Sequence, residues 1–285
     1  MKNLIYVFIS MILYTSCQES GNAQEPLLDT TIAETKLNVP YGQDTAQRMD
    51  IYLPAGRSSG STRSIVLIHG GGWAYGRKSD FATYIDTLKK RLPHYAIFNL
   101  EYRLASEKAK FPSQEQDVKA ALDFITQHSD KYGIDSNELV LLGASAGAHL
   151  AMLQAYKYQS PRIKAVIDFF GPTDLTAMYN KPWHNMIPFA LQTLTGTTPK
   201  AGKEIYEQSS PAHFVTAQTP PTLILHGGND PVVNISQSKL LKAKLEKAGV
   251  RHELVVYPRE RHGWFGSTLS NSFDRIIKFL EEQPN

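Results

Sequence analysis

The sequence predicts an α/β fold: an eight-stranded, mostly parallel sheet covered by helices on both faces, with a small cap inserted over residues 175–210. Two observations lead to it. Short apolar runs, such as Ile65-Val66-Leu67-Ile68 and Leu139-Val140-Leu141-Leu142, alternate with segments whose apolar residues recur at helical spacing. Four such runs also end in residues suited to chemistry: His69 to Trp73, Gly143 to Gly147, His226 to Asp230, and Pro258 to Trp264. Ligands of parallel sheets bind beyond the carboxyl ends of the strands, where these four motifs fall. With 285 residues, 42% of them hydrophobic, the chain can form one large domain with a stable core. A net charge of +3 is far from the basic footprint of a nucleic-acid binder, so no nucleic-acid partner is expected.

The elements follow in order. Residues 35–40 and 47–53 read as an antiparallel pair, because Met49, Ile51 and Leu53 alternate with Asp50 and Tyr52. Strand 65–68 enters a glycine loop, and the next helix sets Phe81, Tyr84, Ile85, Leu88 and Leu92 on one face. After strand 95–100, Ser113 and Gln116 have capping-box spacing at the start of a helix carrying Val118, Ala121, Leu122 and Ile125 and ending near Gly133. Strand 138–142 leads to a Gly-x-Ser-x-Gly turn and a helix over 146–158, followed by strand 163–170. The segment 175–210 then breaks the alternation with Tyr179, Pro182, Trp183, Pro188, Phe189 and Gly196. It reads as a cap whose aromatics line a pocket; a surface excursion packing them on the core is the alternative. Strands 222–225 and 251–257, with helices 236–248 and 269–282, complete the domain.

The N-terminus reads as an export signal over residues 1–17: Lys2 first, a run from Leu4 to Leu13 that is apolar apart from Ser10, then Thr15 and Ser16. That run is too short to span a bilayer as a mature helix. Cys17, the only cysteine, stands where a bacterial lipoprotein is cleaved and lipidated, although Tyr14 occupies the position where Leu is usual. The expectation is an envelope lipoprotein, with plain periplasmic export or secretion as the alternative. Membrane contact is expected only through that anchor. Residues 18–34 are read as a polar tether and 35–285 as the domain.

A strand, the turn Gly143-Ala144-Ser145-Ala146-Gly147 and a helix make a nucleophile elbow, which lifts the serine hydroxyl above the strand ends. The turn is too tight for flanking side chains, hence glycine on both sides. Gly70, Gly71 and Gly72 leave backbone N–H groups bare, as fixed donors to a developing oxyanion must be. No Gly-Lys-Ser/Thr closes that loop, which argues against a phosphate cradle. An acid, Asp230, and a base, His262, each follow a strand.

These pieces, with Met49 to Pro54, Glu101 to Leu104, Phe111-Pro112, Asp117-Val118, Gly171 to Asp174 and His262-Gly263, resemble an α/β-hydrolase of the acetyl esterase/lipase type. The nearest branches are the hormone-sensitive-lipase-like and bacterial feruloyl/acetyl esterases, and the resemblance runs from about Lys36 to Leu280. It implies Ser145 as nucleophile, Asp230 as acid and His262 as base, in the chain order of that family. It also implies an oxyanion hole from the N–H groups of Gly71, Gly72 and Ala146. Ala144, where many relatives carry an acidic residue, and the Ala146-Gly147-Ala148-His149 segment both argue against a narrow subfamily.

The function so implied is hydrolysis of carboxylic esters through an acyl-enzyme, on short-chain or carbohydrate-linked acetyl or feruloyl esters. The substrate partner would be a small molecule or a polysaccharide. An amide hydrolase of the arylformamidase or peptidase kind, or a non-catalytic binding protein, are the alternatives. No cofactor is implied, and the histidines lack metal-ligand spacing, so no metal is expected. Trp73 and Trp264 adjoin the glycine loop and His262 and are candidates to line the substrate site, with aromatic packing as an equal reading. Asp174 is the alternative acid. His226 is expected to hydrogen-bond locally, and His149 to pack beneath the site.

Overall fold

Every residue from Ser64 to Ile68 and from Ala96 to Leu100 is buried, the pattern of strands covered on both faces. The computed structural model describes residues 29–282; the leader, Cys17 and residues 18–28 lie outside the described residues. Eight strands form one sheet: β1 (Glu34–Pro40), β2 (Arg48–Leu53), β3 (Ser64–Ile68), β4 (Ala96–Leu100), β5 (Leu139–Ala144), β6 (Ile163–Phe169), β7 (Thr222–Gly227) and β8 (His252–Tyr257). Their spatial order is β1-β2-β4-β3-β5-β6-β7-β8. β2 is antiparallel to both of its neighbours, and β4 through β8 run parallel. All eight strands stand where the apolar runs predicted them, to within two residues at most ends.

The helices are α1 (Ala82–Arg91), α2 (Ser113–Gln127), α3 (Ser129–Tyr132), α4 (Ala146–Tyr158), α5 (Leu175–Asn180), α6 (Met186–Thr195), α7 (Lys203–Gln208), α8 (Ser236–Lys247) and α9 (Gly266–Glu281). The two-residue period of the strands divides the core into two layers. Val66, Ile68, Phe98 and Leu141 face α2 and α4, whereas Ile65, Leu67, Ile97, Val140 and Leu142 face α1 and α9. Each such aliphatic side chain contributes about 1.5–3 kcal/mol by leaving water. α4 is buried from Ala146 to Tyr156, and Gly147, Ala148, Ala151 and Ala155 let it lie close under the sheet.

The capping-box expectation at Ser113 fails. Pro112 takes the cap position and Ser113 is already helical, with no side-chain cap bond. The helix expected to reach Gly133 is divided at His128 into α2 and the short α3, which Gly133 terminates in a left-handed conformation.

Arg57 fixes the entry of the chain into the domain. Its buried guanidinium donates to the carbonyls of Tyr132 (3.1 Å), Ile32 (2.6 Å), Pro54 (3.2 Å) and Asp29 (3.1 Å). Residues 29–34, expected to belong to the tether, are part of the domain instead: Arg57 holds Asp29 and Ile32 against it, and Glu34 begins β1. β1 begins opposite Leu53, and Tyr52 pairs with Ile97 near the start of β4. The chain therefore enters at the edge where the parallel strands begin, opposite the end that carries the motifs. Arg57→Ala strips four carbonyls of their donor. It should cost about 2–4 kcal/mol and lower the thermal midpoint by several degrees, while the activity of the folded fraction is retained. An unchanged midpoint in differential scanning calorimetry would refute the clamp.

Candidate active site

Ser145 sits between β5 and α4 with φ 53° and ψ −118°, a conformation that L-residues rarely adopt. Two hydrogen bonds hold it there: its N–H donates to the Phe169 carbonyl at 2.8 Å, and its own carbonyl accepts from His149 N–H at 3.0 Å. The flanking glycines have a steric cause. A Cβ on Gly143 would lie 2.4 Å from the Ala148 nitrogen, and one on Gly147 would lie 1.9 Å from the Ile68 carbonyl oxygen.

His262 and Asp230 arrive on neighbouring loops, after β8 and β7. A Cβ on Gly227 would lie 2.1 Å from the Arg261 carbonyl oxygen, so the glycine lets the loops touch. Asn229 N–H donates to the Glu260 carbonyl (2.9 Å) and Gly228 N–H to that of Tyr257 (2.8 Å), tying the two together. His262 Nε2 lies 2.9 Å from Ser145 Oγ, and its Nδ1 lies 2.7 Å from Asp230 Oδ2. Because Asp230 accepts at Nδ1, that nitrogen carries the proton and Nε2 is left to accept from the serine. Phe170 packs on the His262 ring with centroids 4.6 Å apart. Asp230 Oδ1 accepts from the amides of Val232 (2.7 Å) and Val233 (2.9 Å). Burial pushes the Asp230 carboxyl up, but hydrogen bonds from His226, His262 and the backbone outweigh it and hold it well below the usual carboxylate range. Asp174 instead caps α5, accepting from Ala177 N–H at 2.8 Å.

The glycine loop runs beside the serine. The imidazole of His69 stacks on Tyr102 at 4.3 Å, and the Tyr102 hydroxyl donates to the His69 carbonyl at 3.0 Å, bracing the start of the loop. Among the described residues, no acceptor takes the N–H groups of Gly71, Gly72 or Ala146, the last at the first turn of α4. Trp73 is buried, lines the pocket and donates its indole N–H to His149 Nδ1 at 3.1 Å. His149 Nε2–H donates in turn to the Ser209 carbonyl at 2.7 Å. Burial pushes His149 down to about 4, which keeps the ring neutral and Nδ1 free to accept. Sequence reasoning placed His149 beneath the site but missed this anchoring contact. Its position four residues after Ser145, one turn along α4, was the available signal.

A cavity of about 560 Å³ opens over Ser145 and His262, bounded by Gly71, Gly72, Trp73, Pro172, Pro231, Val232 and the cap. Two expectations about its walls need correction. Trp264 does not line it: the indole is buried, donates to Ser272 Oγ at 2.8 Å and packs on Phe170 (5.3 Å) and Tyr257 (4.9 Å). The cap contributes Met178, Met186, Ile187 and Leu191 to the wall rather than its aromatics; Trp183 and Phe189 are 62% and 64% exposed. Phe189 lies off the buried face of α6, which Ile187, Leu191 and Leu194 form. Arg261 is the one charged side chain among the lining residues.

Asp168, at the end of β6, is fully buried; its Oδ1 accepts from Gly171 N–H at 2.7 Å, while Oδ2 has no partner. Burial pushes this carboxyl up to about 7, against a lowering by the Gly171 amide. The folded state then holds a proton that the unfolded chain, at an ordinary 3.8, has released. Stability associated with Asp168 accordingly falls as pH rises from about 4 towards 7 and stays low above. Asp168→Asn keeps the acceptor for Gly171 and removes the titration. It should raise the thermal midpoint at pH 8 more than at pH 5; an equal effect at both values would refute the assignment.

The strand order, the elbow and the histidine and aspartate on later strand ends define an α/β-hydrolase fold. Within it the chain belongs to the BD-FAE family, whose model matches residues 49–245. Esterase LipC of Mycobacterium tuberculosis is 24% identical over 79% of this chain and 59% of its own length. A solved carbohydrate esterase from gut microbiota superposes with a TM-score of 0.73 at 25% identity, covering 89% of this chain and 98% of that one. Thermogutta terrifontis esterase 2, phosphonylated by sarin, gives a TM-score of 0.72 at 26% identity, covering 90% and 96%. The chain spans about half the length of several curated relatives it matches.

Proposed function

We propose that this protein hydrolyses carboxylic esters with Ser145 as nucleophile, passing through an acyl-enzyme. The observation that carries this reading is the unbroken hydrogen-bonded line from Ser145 Oγ through His262 to Asp230. Ser145 Oγ attacks the ester carbonyl carbon as His262 Nε2 takes its proton. The carbonyl oxygen becomes an oxyanion and accepts from the N–H groups of Gly71, Gly72 and Ala146. Asp230 stabilises the imidazolium that forms and keeps it aligned. The tetrahedral centre collapses, the bond to the alcohol oxygen breaks, and His262 protonates that oxygen. Water, activated by His262, then attacks the acyl carbon and releases the acid and Ser145.

The apolar walls and the size of the cavity suit a short aliphatic or small aromatic acyl group. Acetyl or feruloyl groups on carbohydrate are the proposed substrate class, a reading supported by the carbohydrate esterase among the neighbours. We also propose that Cys17 is lipidated. The apolar run from Leu4 to Leu13 and the lone cysteine that follows it support this reading.

Ser145→Ala should lower kcat on p-nitrophenyl acetate by about 10⁴-fold or more with the fold retained. On the wild-type chain, kcat/KM along a series of p-nitrophenyl esters should fall beyond butyrate. Activity of Ser145→Ala near the wild-type level would reject the mechanism, and a rise towards long chains would reject the substrate class.

A further inference from the structure

His226 is the penultimate residue of β7, four residues before Asp230, and is fully buried. Its Nε2 lies 2.9 Å from the Val233 carbonyl oxygen and 3.4 Å from Asp230 Oδ2. Both neighbours are acceptors, so Nε2 must carry the proton. Nδ1 lies 2.6 Å from Ser238 Oγ, within hydrogen-bond distance. The Nε2–H of His226 is therefore fixed by the acceptors around it.

These contacts close a circuit around the acid. Val233 N–H donates to Asp230 Oδ1 at 2.9 Å, the Val233 carbonyl accepts from His226 Nε2–H, and the same Nε2 lies 3.4 Å from Asp230 Oδ2. Oδ2 is the oxygen that receives His262 Nδ1–H. The carboxylate of Asp230 is wholly enclosed, where a shared or unshared charge is felt strongly. Asp168 on β6 is a further titratable group near His226, and its burial raises it to about 7.

We propose that His226 is a positioning residue for ester cleavage: its Nε2–H fixes the Asp230 carboxylate toward His262 and takes up part of the charge on Oδ2. The proposal rests on the reading of Ser145, His262 and Asp230 as the catalytic groups. It makes the histidine of the His226-Gly227-Gly228-Asn229-Asp230 segment part of the acid's housing rather than a general base.

Two substitutions separate positioning from packing. Glutamine can bring its amide N–H to the place of Nε2, whereas asparagine reaches only the place of Nδ1. His226→Asn should lower kcat on p-nitrophenyl acetate about tenfold, with KM changed less than about twofold. The acid limb of its kcat/KM profile should move up by about half a pH unit, because the unshared charge on Oδ2 stabilises the His262 imidazolium. His226→Gln should restore most of kcat and return the limb toward its wild-type place. Equal losses in both variants, or a change in KM alone, would overturn the proposal. Should the variants not fold, the wild-type chain still gives an answer by long-range ¹H–¹⁵N NMR. A proton on Nε2 between pH 5.5 and 8 is expected; a ring protonated at Nδ1 alone would overturn it. Absence of ester hydrolysis by the wild-type chain would instead count against the proposed function and leave the tautomer result standing.

Discussion

The backbone of the elbow presses so closely on the end of β3 that no side chain fits between them. At Gly147 even a methyl group would lie 1.9 Å from the Ile68 carbonyl oxygen. This approach sets Ser145 beside the glycine loop, since Ile68 is the last residue before it. A Cβ on Gly70 would lie 3.3 Å from Ser145 Cβ and 2.8 Å from the Ala144 carbonyl oxygen, so loop and elbow are in contact as well. The hydroxyl and the free N–H groups thus share one small volume without a lid closing or a loop reordering. The strain in Ser145 is offset by the sheet around it, through bonds to β6 and α4. A group poised in this way needs little reorganisation when charge develops, the condition under which fixed donors are most effective.

Much of this was legible in the sequence because its causes are local. Apolar runs of four to six residues can be buried strands, and a crowded strand-to-helix turn demands glycine on both sides of its serine. Chain order alone did not separate Asp230 from Asp174, since both lie between Ser145 and His262; the strand-end segment His226 to Asp230 pointed to Asp230, and physically its pairing with His262 comes from Gly227, which lets the β7 and β8 loops meet. What sequence could not resolve was the direction of individual side chains. Trp264 stands two residues after His262 yet turns into the core to pair with Ser272. The aromatics of the cap signal an interface but not which face, and α6 buries aliphatic residues while leaving Phe189 outside. The failed cap at Ser113 has the same origin, a competition between Ser113 and Pro112 that local spacing does not settle.

Buried polar groups divide the work around the site. His149, kept neutral by burial, supports Trp73 and with it the glycine loop. Asp168 secures the turn at Gly171 that precedes Pro172 on the pocket wall. Asp230 alone is held charged, because donors surround it on both oxygens. Three enclosed ionisable groups thus take different protonation states according to what each faces, so that negative charge is kept where His262 needs it.

The central claim is that Ser145 Oγ is the atom that bonds to the acyl group. Treating the full chain with a p-nitrophenyl alkylphosphonate and mapping its peptides by mass spectrometry tests this directly. One equivalent of p-nitrophenolate should be released, with a single adduct on Ser145 and loss of ester hydrolysis in proportion. An adduct confined to another residue, or inactivation with Ser145 unmodified, would contradict it.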